Sequence, residues 1–138
     1  MNAVIENDSY SATISSLGAE LKSLKDANTG REYMWQADPA WWKGSAPVLF
    51  PIVGGLKNGK YRCEGAEYEL PQHGFARTSE FRQNAAAGDA AEFELVSSAD
   101  TLAKYPFEFR LRVRFALERC GLAVRYEVTN AGKGPMLF

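Results

Sequence analysis

Phe107-Glu108-Phe109-Arg110-Leu111-Arg112-Val113-Arg114-Phe115-Ala116-Leu117-Glu118 alternates apolar residues with charged or small ones along its whole length. A period of two sends the two sets to opposite faces of a strand. One dry face and one wet face are the mark of an antiparallel sheet. After Arg119-Cys120-Gly121 the alternation resumes at Leu122, Val124, Tyr126 and Val128. Gly121 supplies the backbone freedom of a tight hairpin, so the two runs are expected to pair. Phe93 and Leu95 mark a third strand ahead of them. The connection from Ser98 to Pro106 is expected to hold one helical turn.

The first half reads the same way. Tyr10, Ala12 and Ile14 alternate. Leu21 to Asp26 and Glu32 to Trp35 flank the turn signal Asn28-Thr29-Gly30 and are expected to be strands. Tyr61 to Glu64 and Glu67 to Leu70 flank Gly65 as a second hairpin. Asp38-Pro39-Ala40-Trp41-Trp42 has an aspartate cap followed by proline, which predicts a short helix. Ala46 to Gly55 contains two prolines and two glycines, so it is expected to be a structured loop rather than a central strand. There is no repeat, no low-complexity tract and no long amphipathic helix. The expected fold is all-β, an antiparallel β-sandwich.

Composition limits the function. The net charge is -1, with 16 basic and 17 acidic residues, so no bulk field favours nucleic acid or an anionic membrane. Cys63 and Cys120 form no CxxC or Cys/His cluster, which argues against zinc and against a disulfide framework. The amino terminus lacks the basic and apolar regions of a signal peptide. No apolar run reaches the length of a membrane span. These features give the expectation of a cytoplasmic protein with no nucleic-acid partner, no membrane partner, no metal and no cofactor.

Candidate chemistry concentrates in Pro71-Gln72-His73-Gly74-Phe75-Ala76-Arg77, which holds the one histidine. His73 could bind a hydroxyl, serve as acid or base, or satisfy a buried hydrogen bond. Gly74 lets backbone approach a ligand closely. Arg77 presents a planar fork suited to phosphate, carboxylate or neighbouring hydroxyls, or alternatively pairs with Glu80 in solvent. Trp35 is expected in the core, whereas Trp41 and Trp42 are open between core packing and stacking on a sugar ring. Gly54 to Lys60 lacks the spacing of a phosphate loop, and neither a GxSxG elbow nor a GxGxxG turn is present. Arg110, Arg112 and Arg114 read as a solvated row with acidic neighbours.

Ala46-Pro-Val-Leu-Phe-Pro-Ile-Val-Gly54, Leu56-Lys-Asn-Gly-Lys-Tyr61 and Leu70-Pro-Gln-His-Gly-Phe-Ala-Arg77 together resemble the aldose 1-epimerase (galactose mutarotase-like) family. Gly18-Ala-Glu-Leu21 and Ala103-Lys-Tyr-Pro-Phe107 match its branch of LacX-type proteins and hexose-6-phosphate mutarotases. The resemblance implies a large galactose mutarotase-like β-sandwich, with these residues as the N-terminal part of one domain. It also implies interconversion of the α and β anomers of a hexose or hexose phosphate. A base takes the anomeric hydroxyl proton, an acid protonates the ring oxygen, the ring opens, the aldehyde rotates, and the steps reverse.

His73 matches the family histidine that binds sugar near the ring oxygen, and Arg77 an arginine that contacts a hydroxyl or a 6-phosphate. The family's second histidine and its glutamate base match nothing here, so the catalytic pair is left unassigned and the chain alone is expected to be inactive. Glycine stands at 44 and 55, where relatives often carry arginine, with Lys43 and Lys57 nearby. A non-catalytic carbohydrate-binding or sensing protein on the same fold is the alternative, and a purely structural β domain a third. Self-association through exposed sheet edges is a further expectation.

Overall fold

A computed structural model describes residues 1–138. The strands fall into antiparallel sets. β1 (Asn2–Glu6), β2 (Tyr10–Ser15) and β3 (Glu20–Asp26) form one sheet in chain order. β4 (Lys60–Cys63) and β5 (Ala66–Glu69) form a separate hairpin. β6 (Arg82–Ala87), β7 (Ala90–Val96), β8 (Phe109–Glu118) and β9 (Gly121–Asn130) form a four-stranded meander. A single helical turn, α1 (Ala99–Leu102), joins β7 to β8, capped by Ser98 and Thr101 in a reciprocal capping box.

The alternation at 107–118 does what its period requires. Phe109, Leu111, Val113, Phe115 and Leu117 are all buried, while Arg110, Arg114 and Glu118 between them are exposed. They join Phe93 and Leu95 of β7 and Ile5, Ala12 and Ile14 of the first sheet in one buried cluster. The sheets therefore pack face to face as an antiparallel sandwich. Each fully buried phenylalanine or leucine contributes roughly 1.5–3 kcal/mol over an exposed one. The rings of Phe50, Phe75 and Tyr105 extend this core beneath the 46–55 loop, with Phe50 and Phe109 5.0 Å apart between centroids.

The wet face of the meander is organised around one carboxylate. Glu94 keeps only 6% of its surface exposed. It accepts from Arg82 at 2.9 Å and Arg112 at 2.9 Å and pairs with Arg110 at 3.2 Å. Burial pushes its acid up, but the hydrogen bonds from Arg112 and Arg82 and the charge of Arg110 outweigh that and hold it below the ordinary value of 4.5. A depressed carboxylate stabilises the fold fully above its unfolded value and loses that contribution as pH falls through the folded one. Glu94→Gln should cost about 1–3 kcal/mol near pH 7, the scale of hydrogen bonds to a charged group. The gap between variant and parent should narrow as pH falls below about 4.5. Urea melts at pH 7 and pH 3.5 check this, and a gap that widens in acid would contradict it.

Three local expectations are corrected, and two strands are added. Glu32 to Trp35 is not a strand: its backbone pairing with β3 is confined to one isolated bridge, Lys25 to Glu32, and the Glu32 carboxylate accepts from Ser23 Oγ, Leu24 N and Met34 N. Asp38 to Trp42 stops at one turn, in which Ala40 N donates to Asp38 Oδ1 and Trp41 N and Trp42 N donate to Asp38 O. Trp35 is not in the core but 44% exposed, with its Nε1 donating to Trp42 O at 2.7 Å. β1 and β6 were not expected as strands. β6 has no apolar face, all six of its residues being exposed.

Candidate functional site

The loop from Ala46 to Gly55 and the block from Pro71 to Arg77 are built as one unit. Phe50 bridges Gly74, and the Phe50 carbonyl accepts from both Phe75 N (3.0 Å) and Ala76 N (3.2 Å). Only glycine fits at 74. Its φ is +71°, and a Cβ there would lie 2.1 Å from Phe50 O. The Phe50–Pro51 peptide in this crossing is cis.

His73 sits on that crossing in a left-handed conformation, φ +68°, which histidine tolerates better than bulky residues. Two bonds clamp it to Gly54. His73 N donates to Gly54 O at 2.7 Å, and Gly54 N donates to His73 Nδ1 at 2.9 Å. Because Nδ1 accepts, the neutral ring carries its proton on Nε2. In that state the imidazole offers one N–H donor and has no lone pair free on Nε2. It is built to donate a hydrogen bond, not to receive a proton. No carboxylate hydrogen-bonds the ring, unlike the orienting acid of a catalytic triad.

Arg77 follows in a 3-10 turn over Ala76–Thr78. Its Nη2 donates to Gln72 O at 2.8 Å, so the guanidinium folds back along the same block. It pairs with no carboxylate, Glu80 included, and the rest of the fork stays available. Gly18 lies against the Arg77 backbone, where a Cβ would be 2.8 Å from Arg77 O. Leu17 bridges Glu80, and Gly18 N donates to Ser79 O. His73 and Arg77 are both half-buried.

A third tie went unrecognised in the sequence. Glu20 Oε1 accepts from Ser45 N at 2.6 Å and Ala46 N at 3.1 Å, fixing the start of the loop to β3. Its acid is pushed up by burial but held lower overall by Lys22 and these amides. Lys43 and Lys57 are exposed, and neither forms an ion pair with protein carboxylates. A groove of about 830 Å³ begins at Pro71 and runs along Tyr68, Glu69, Asn58 and Lys104; His73 and Arg77 do not line it. Cys63 and Cys120 are free thiols. No helix is long and apolar enough to cross a membrane.

Comparison with known proteins places this geometry in a family. The aldose 1-epimerase family model matches residues 1–138. The chain is 35% identical over 135 residues to the chromosomal protein LacX of Lactococcus lactis, covering 94% of this chain and 45% of LacX. A galactose mutarotase related enzyme from Lactobacillus acidophilus superposes with TM-score 0.92 at 43% identity, over 94% of this chain and 43% of that one. A galactose mutarotase-like protein from Lactobacillus casei superposes with TM-score 0.95 at 38% identity, over 99% and 46%. The chain thus spans about half the length of the relatives it matches. By the match of the family model to residues 1–138, this chain belongs to the aldose 1-epimerase family.

Proposed function

We propose that the protein acts in the anomeric interconversion of an aldose, with His73 and Arg77 as its sugar-binding residues. The observation that carries this is the double clamp between His73 and Gly54, which occupies Nδ1 and leaves Nε2–H as the ring's one donor. A fixed donor suits the ring oxygen or a hydroxyl of a hexose. Arg77, with one guanidinium nitrogen on Gln72 O, keeps donors for a further hydroxyl or a 6-phosphate. Free thiols fit a reducing compartment, and we place the protein in the cytosol.

Ring opening needs a base for the anomeric O–H and an acid for the ring oxygen. Neutral His73 can supply neither a vacant nitrogen nor a partner carboxylate. On this reading the His73–Arg77 block holds the sugar, and proton transfer requires groups other than these two. The test is binding of D-glucose, D-galactose and glucose 6-phosphate followed at the His73 resonances by NMR, with polarimetry of the same samples. Binding without acceleration supports the reading; acceleration without any response at His73 contradicts it.

The same reading includes self-association. β9 pairs only with β8, and its apolar row, Leu122, Val124, Tyr126 and Val128, includes Tyr126 at 57% exposed. An open edge carrying an apolar row invites a second strand. Sedimentation velocity should show dimers or larger species growing with concentration, and Tyr126→Lys should reduce them. A monomer at every concentration contradicts this.

A further inference from the structure

The tryptophans of the 35–42 segment have no role in the account so far. Trp41 is 83% exposed and Trp42 is 51% exposed. Trp42 nevertheless has one contact on its backbone and one on its ring. Its carbonyl accepts from the Trp35 indole N–H at 2.7 Å. Its own indole lies against Gly44, where a Cβ would be 3.0 Å from Cζ2 and 3.1 Å from Cε2. Gly44 therefore acts as a seat for the ring, and a Cβ there would make the ring give by a few tenths of an ångström. The two amides that follow, Ser45 N and Ala46 N, are anchored on Glu20.

An exposed indole resting on a glycine seat has lost part of the freedom that ligand contact would otherwise remove. The segment that holds it leads directly into the loop whose far end, Gly54, clamps His73. The same anchors connect it to Arg77: Glu20 holds Ser45, and Gly18, two residues earlier, lies on the Arg77 backbone. Neighbouring Lys43 is exposed and forms no protein ion pair, adding a polar group beside an apolar ring face. A pyranose needs this combination: an apolar C–H face for the ring and donors for its hydroxyls. An indole covered by another protein surface would need neither the fixed donor at His73 nor the open guanidinium at Arg77.

We propose that Trp42, seated on Gly44, stacks on the sugar ring and determines specificity at the site that His73 and Arg77 define. This rests on the sugar-binding reading above. Trp41, more exposed and without such a seat, contributes little.

The chain labelled with ¹⁵N and kept dilute is titrated with D-galactose, D-glucose and glucose 6-phosphate. The Trp42 indole N–H and the His73 ring are followed separately by NMR. Both should shift along one binding curve. Trp42→Ala should weaken binding about five- to tenfold, the scale of one aromatic contact, whereas Trp42→Phe should retain most of it. Trp41→Ala should change affinity less than about twofold. If Trp42→Ala fails to fold, the Phe variant and the parent indole shift still decide. A His73 response with a silent Trp42, or full affinity in Trp42→Ala, overturns the stacking role and leaves the sugar site standing. Silence at both residues overturns the site reading and the stacking role together. An indole shift that follows protein concentration without sugar assigns Trp42 to a contact between copies and also overturns the proposal.

Discussion

Fresh α-D-glucose or α-D-galactose should mutarotate at the buffer rate in the presence of this chain. Positioned acid and base groups each typically supply factors of about 10²–10⁴ in rate. His73, with Nδ1 bonded to Gly54 N and its proton on Nε2, can position an oxygen but cannot complete the proton relay. No second histidine exists in the chain to share the task. Polarimetry at neutral pH, with chain concentration varied over a hundredfold, reads the result directly. A rate rising in proportion to protein would contradict the account. It would then require a base among the carboxylates near the site, with Glu20 tested first.

Gly74→Ala should destabilise the chain by about 3–5 kcal/mol, at the extreme end for a single substitution. Two costs add. Alanine in the left-handed region costs roughly 1–2 kcal/mol. The new methyl would also lie 2.1 Å from Phe50 O, where backbone meets backbone and no flexible side chain can move aside. The crossing must open, and with it the bonds from Phe75 N and Ala76 N to Phe50 O. Gly30→Ala is the control. Gly30 has nearly the same φ, +72°, but nothing within 4 Å of its absent Cβ. It should therefore cost about 1–2 kcal/mol, the conformational penalty alone. Denaturant melts of both variants separate the clash from the backbone term. Equal losses would show that the loop crossing is not the constraint.

The strands were legible where burial dictates the pattern. β8 alternates because every second side chain enters the core, and β7 carries the same signal through Phe93 and Leu95. β6, Arg-Gln-Asn-Ala-Ala-Ala, buries nothing and is a strand only because β7 offers it a ladder. A pairing of that kind leaves no mark on local sequence. Glu32 shows the opposite case: strand-like neighbours end in a loop because one carboxylate meets three nearby donors. Trp35 was misplaced because a large aromatic reads as core unless its polar end has a surface partner, here Trp42 O. For the candidate site, His73 and Arg77 were visible as residue types. Their supports were not, because Gly54 and Glu20 act across separations of 19 and 25 residues. Only the fold brings those partners together.

Sugar binding by the His73–Arg77 block is tested most directly by hexose affinity in single variants of those two residues. NMR titration of the parent, His73→Ala and Arg77→Ala with glucose, galactose and glucose 6-phosphate supplies it. His73→Ala should weaken all three about tenfold, because the lost Nε2–H donor would meet an oxygen they share. Arg77→Ala should weaken glucose 6-phosphate more than the neutral sugars, since charge-assisted bonds are roughly twice as strong as neutral ones. If both variants bind every hexose as the parent does and only melt at lower temperature, the block is structural and the sugar-site assignment is wrong.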